Sequence, residues 1–304
     1  MRVFVLSLIG VAAIAAYGES ANLAFKPAGN EAYTFDTGVL RGTLRNEGRS
    51  IGLLKVEHVP TGTHLEGNNY GIFGHYRVFT TNKRYGGGAW DWPSTSVLRP
   101  DGSVEVHWAA AEGRPFDLAA VYRWSAPDTL DVETSVTARA DLTGFESFLA
   151  SYFAEAFPAS TVCVKSGPDG KPMFQTTEPD KGMWQAFPRD KQAVTLIQDG
   201  RWKIEPSPVD WAVRDEYFAP LGIRRNPANN LCAIIMAPAT DSYAVMTPQA
   251  GEGHRSLYLA QIGHDIKTGE SATARARLVV RTLAKDNEAV PIYESYIKSL
   301  PTDR

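Results

Sequence analysis

The sequence predicts an all-β protein, one large antiparallel β-sandwich with a short C-terminal helix. Three observations carry this. Short apolar runs bounded by turn residues recur along all 304 residues. Several of them alternate with period two, the mark of strands with one buried and one solvated face. Helical periodicity is clear only at the end of the chain.

Candidate strands lie at 32–35, 50–58, 70–80, 103–109, 117–124, 129–138, 148–153, 160–165, 193–198, 231–237, 242–246, 256–263 and 271–281. In 129–138, Leu130, Val132, Thr134 and Val136 share one face, with Asp131 and Glu133 on the other. In 272–280, Ala274, Ala276 and Leu278 oppose Arg275 and Arg277. Pro100-Asp101-Gly102, Pro127-Asp128, Pro168-Asp169-Gly170 and Thr268-Gly269 supply turns between strand candidates. The last element is a helix over 291–300. Ile292, Tyr296, Ile297 and Leu300 recur at three-to-four spacing, and Pro291 suits a helix start. From about 166 to 230 the chain is rich in Pro, Trp and charge and weak in strand pattern. This stretch reads as a loop-rich insertion within a single domain spanning 19–304.

The N-terminus has the form of a secretory signal peptide. Arg2 precedes an apolar run at 3–16, and the small residues Ala16 and Gly18 suit cleavage after Gly18. The run is shorter than the roughly 20 residues a membrane span needs. A secreted or periplasmic protein is expected, with no membrane span after cleavage. Cys163 and Cys232 both lie in apolar strand-like runs. Either one disulfide or two buried thiols fits them.

Thirty-one basic against 34 acidic residues give a net charge of −3, with no electrostatic footprint for nucleic acid. The chain has no G-x-S-x-G, P-loop, G-x-G-x-x-G or H-E-x-x-H motif. Gly86-Gly87-Gly88 lacks the Lys-Ser that a phosphate loop needs. Metal-ligand spacing of Cys and His is also missing. No cofactor or metal is therefore expected.

One segment concentrates polar and aromatic chemistry. It carries His75, Arg77, Asn82, Lys83, Arg84, Trp90, Asp91 and Trp92. Sugars offer apolar C–H faces, which rings cover, and a rim of hydroxyls, which cations, amides and carboxylates satisfy. Alternation along 70–80 would put His75, Arg77 and Phe79 on one face and Tyr76, Val78 and Thr80 on the other. His75 and Arg77 are therefore expected to point together into a groove. The same mixture recurs at Trp184 with Arg189, at Arg201-Trp202 and at Asp210-Trp211. Glu252 and His254 sit in a Gly-rich turn and form a candidate acid/base pair, approaching the groove from its opposite side. His58, His64, His107 and His264 have no partner at telling spacing and read as structural.

Tyr122-Arg123-Trp124 with 129–138, then 148–153, then 263–271 with its Gly269-Glu270-Ser271 ending, resembles the galactose-mutarotase-like supersandwich family. That family includes aldose epimerases and domains of polysaccharide lyases and glycosidases. The resemblance implies a sugar-related role, with Tyr152 on the aromatic strand at the site and Glu252 in the region of the family's general base. Ser151 stands where epimerases of this fold carry a general-acid His, which implies chemistry other than orthodox mutarotation.

The reading is an exported carbohydrate-active protein. His75, Glu252 and His254 would be its catalytic candidates. Arg77, Asn82, Lys83, Arg84, Trp90, Asp91, Trp92, Tyr152, Trp184 and Arg189 would hold the ligand. The alternative is a non-catalytic glycan- or protein-binding module. Convergence of the named residues on one concave site favours the enzyme.

Overall fold

Alternating strands build two antiparallel sheets that face one another in a computed structural model, which describes residues 23–67, 69–166 and 169–301. In the larger sheet the central order is Arg49–His58, Ile72–Thr80, Leu142–Tyr152, Ser256–Ile266, Ser242–Pro248, Trp184–Pro188 and Trp211–Val213. The smaller sheet runs from Lys171–Thr176 through Ala159–Ser166, Tyr217–Arg225, Leu231–Met236, Ser271–Thr282, Thr129–Ala138, Phe116–Ala126 and Val104–Trp108 to Thr95–Leu98. One pairing is parallel, between Trp184–Pro188 and the short edge strand Trp211–Val213. The all-β sandwich expected from the sequence is the observed architecture.

Leu130, Val132, Thr134 and Val136 are buried between the sheets, as their alternation requires. Trp108, Phe116, Tyr122, Phe145 and Leu278 share that interior. Each outer face is also partly covered. The C-terminal helix, Ala289–Ser299, packs Tyr296 against the smaller sheet. Cys163 and Cys232 lie beneath that side as buried free thiols, and burial pushes them up to about 12 and about 11.

The stretch 166–230 departs from its expectation as loops. It supplies Lys171–Thr176, Trp184–Pro188, Trp211–Val213 and Tyr217–Arg225 to the two sheets. The expected strand at 193–198 is instead part of a helix, Lys191–Gln198. Val194, Thr195 and Ile197 favour a strand locally. Asp190 decides otherwise, because its carboxylate accepts from Ala193 N at 2.9 Å and caps the first turn. Ala193 and Ile197, four residues apart, then face the larger sheet.

This helix begins an arm, 189–210, that folds back over the larger sheet. Arg201 pins it. Its guanidinium donates to the Gly144 carbonyl at 2.9 Å, to Glu146 at 3.1 Å and to Asp199 at 2.8 Å. The Glu146 and Arg201 side chains are both completely buried. Trp202, the next residue, is thereby set edge-on to Phe148 of the sheet below, with ring centroids 4.7 Å apart.

Candidate functional site

A bulge in the Ile72–Thr80 strand creates one wall of the site. Opposite it, Val78 pairs with Ser147 and His75 with Leu149, so Tyr76 and Arg77 together oppose the single residue Phe148. An extra residue in one strand resets the alternation. His75 and Val78 therefore point between the sheets, while Tyr76 and Arg77 both line the outer face. The expected sharing of a face by His75 and Arg77 is corrected by this one-residue insertion.

His75 is fully buried. Its Nε2 lies 2.9 Å from Thr134 Oγ1 of the facing sheet, and its ring packs on Trp108 at 5.2 Å. Burial lowers its pKa to about 3, which keeps it neutral in the fold. It is a core residue and leaves the candidate catalytic set.

The outer face of the larger sheet carries a cleft of about 320 Å³. Phe148, Tyr152 and Tyr258 rise from the sheet as its floor. Tyr70 and Tyr76 stand at one side, and Trp184, Trp202 and Trp211 at the other. Tyr76 is backed by Trp90, stacked at 4.2 Å and 9°. Ser207, Pro208 and Val209 of the arm complete the rim. The indole N–H groups of Trp202 and Trp211 have no acceptor.

His254 also lines this cleft, on the turn between Ser242–Pro248 and Ser256–Ile266. Its ring lies 5.8 Å from Trp184 and 6.2 Å from Tyr152. Its Nδ1 is 2.5 Å from Glu252 Oε1, and its backbone N donates to Glu252 Oε2 at 2.7 Å. A carboxylate only accepts, so Nδ1 is the donor, and in the neutral ring it is Nε2 that carries the lone pair. That arrangement suits an imidazole taking up or returning a proton, with the carboxylate holding its tautomer.

Of the residues singled out in the sequence, the cleft gathers Arg77, Tyr152, Trp184, Trp202, Trp211 and His254, with Glu252 behind His254. Trp90 is one layer back. Asp91 accepts from Trp90 Nε1 at 3.0 Å and pairs with Arg49. Asn82 is exposed on a turn. Lys83 reaches the Gly113 carbonyl at 2.7 Å, and Trp92 packs under Arg114 at 4.1 Å, so both belong to a separate surface. Arg84 is bound to carbonyls of Gly86, Gly87 and Pro206. Arg189 pairs with Asp190 at 2.7 Å. Ser151 is buried and turned inward, and its Oγ accepts from Phe73 N at 3.1 Å. Tyr70, Tyr76, Phe148 and Tyr258 were not singled out, because alternating aromatics in a strand read as core.

Fold and cleft together define an all-β sandwich protein with an aromatic cleft on the outer face of its larger sheet. No protein-family model matches the chain, and no curated protein sequence does. Among solved structures, the Slr1438 protein of Synechocystis sp. PCC 6803 is 13% identical, with 89% of this chain and 100% of that chain covered and a TM-score of 0.51. A mutant of heparan sulfate lyase HepC from Pedobacter heparinus is 9% identical at a TM-score of 0.50. The match covers 88% of this chain but only 38% of that longer chain. A provisionally assigned aldose 1-epimerase from Klebsiella pneumoniae subsp. pneumoniae is 13% identical, with 90% and 84% covered and a TM-score of 0.46. At such identities the likeness is one of fold. What these structures share with the chain is the large antiparallel sandwich expected from the sequence.

Proposed function

We propose that the protein is an exported carbohydrate-active protein that takes a saccharide into this cleft. The observation that carries the reading is the cleft's lining. Eight of its thirteen residues are aromatic, and the Glu252–His254 pair stands at its edge. Rings laid along a groove match the C–H faces of sugar residues, while the Arg77 guanidinium matches hydroxyls. His254 is the proton-transfer group in this reading. Glu252 orients it, and His254 Nε2 faces the saccharide.

Product analysis on an oligosaccharide panel tests the chemistry. Turnover by the unmodified protein, lost in His254→Ala and reduced at least tenfold in Glu252→Gln, is the expected result. Saccharide binding without turnover on any panel member would instead favour a non-catalytic glycan-binding module. Export rests on the pattern Arg2, 3–16 and Gly18, which lies outside the described residues. N-terminal sequencing of exported protein is expected to begin near Glu19, and an intact Met1 would refute it.

A further inference from the structure

We propose that the Arg77 end of the cleft is an anion subsite, so that the saccharide it takes carries a carboxylate or a sulfate. This rests on the carbohydrate reading and narrows it. Arg77 is 5% exposed and lines the cleft. Its guanidinium lies 5.0 Å from the Tyr76 ring centroid and 5.2 Å from that of Trp202. Nη2 donates to the Ser207 carbonyl at 2.9 Å and makes a long contact of 3.5 Å with Tyr76 Oη. Nε and Nη1 have no acceptor at all. Among the described residues no carboxylate forms an ion pair with it.

A second cation lies close by. Arg84 is also buried and feels Arg77 as a like charge that lowers its pKa, beneath the larger effect of burial. Its acceptors are the carbonyls of Gly86, Gly87 and Pro206. Glu205 is the acid felt there. Its carboxylate accepts from Ser207 N at 3.1 Å and pairs with neither guanidinium. Two guanidiniums are thus withdrawn from water with only neutral acceptors, an arrangement that is unfavourable unless an anion completes it. Arginine's planar fork fits the two oxygens of a carboxylate or sulfate. The flanking rings would hold the sugar that bears the group. Glu252 is not among the acids at these guanidiniums: its carboxylate accepts from His254 N and Nδ1.

Calorimetric titration of the full chain tests this with matched ligands. The probes are oligogalacturonate and oligoglucuronate, the same oligomers with their carboxyls reduced to alcohols, and sulfated forms of the reduced oligomers. At least one anionic form is expected to bind the unmodified protein ten times more tightly than its neutral counterpart, and which one does so separates carboxylate from sulfate. Arg77→Gln should erase that preference, while Arg77→Lys should keep part of it. Equal binding of neutral and anionic forms overturns the anion subsite and leaves the carbohydrate reading standing. Failure of every oligomer to bind overturns both. The ligand comparison needs no variant, so it decides the matter even if Arg77→Gln does not fold.

Discussion

Arg77 and His75 are two residues apart and have opposite fates, and a single extra residue opposite Phe148 separates them. His75 is held neutral inside the sandwich, with its pKa lowered by burial to about 3 against an ordinary value near 6.5. Below pH 6.5 the unfolded chain binds a proton that the folded chain refuses. Stability from this residue is therefore lost as pH falls from about 6.5 toward 3. His75→Gln should show a smaller drop in Tm than the unmodified protein between pH 7.5 and pH 5. Equal drops would place the acid sensitivity elsewhere. Strict alternation could not reveal this, since a bulge leaves no mark in a run of mixed residues such as Tyr76-Arg77-Val78. Glu252 and His254 were legible because glycines flank them in a turn, where a carboxylate and an imidazole have few structural duties.

The element that makes the cleft is the arm from Lys191–Gln198 to Val209, and its anchor is the buried pair of Arg201 and Glu146. Burial raises the Glu146 pKa and the Arg201 charge opposes that rise, so removing the cation leaves the carboxyl in an apolar setting. Arg201→Met should cost about 3–5 kcal/mol in urea unfolding, the usual penalty for breaking a buried pair on one side. The double variant Arg201→Met with Glu146→Leu should recover most of it, because well-packed apolar side chains can replace such a pair. No recovery in the double variant would show that the arm is held by its aromatic contacts instead. This element was the least legible in the sequence. Its β-branched residues favoured a strand, and the partners that pin Arg201, Gly144 and Glu146, are more than fifty residues away.

For the whole molecule, period-two runs such as 129–138 and 271–281 were sufficient to predict the sandwich, because each buries one face against the other sheet. The same logic could not say that the outer face of the larger sheet would be aromatic and open. Phe148, Tyr152 and Tyr258 look like core residues until the arm is known to cover them only in part, with Trp202 against Phe148 and a cleft left beside it. Among the described residues, no helix is long and apolar enough to cross a membrane. Saccharide binding in this cleft is the property on which the proposed function turns. It is tested most directly by measuring the affinity of the unmodified protein and of Trp184→Ala for members of a glycan panel. Trp184 is partly exposed and lines the cleft, so its removal takes away a stacking surface while leaving the sandwich core untouched. At least one glycan should bind the unmodified protein, with affinity weakened more than tenfold in Trp184→Ala, a loss above roughly 1.4 kcal/mol. Absence of binding across the panel, or binding equal in the two proteins, would contradict it.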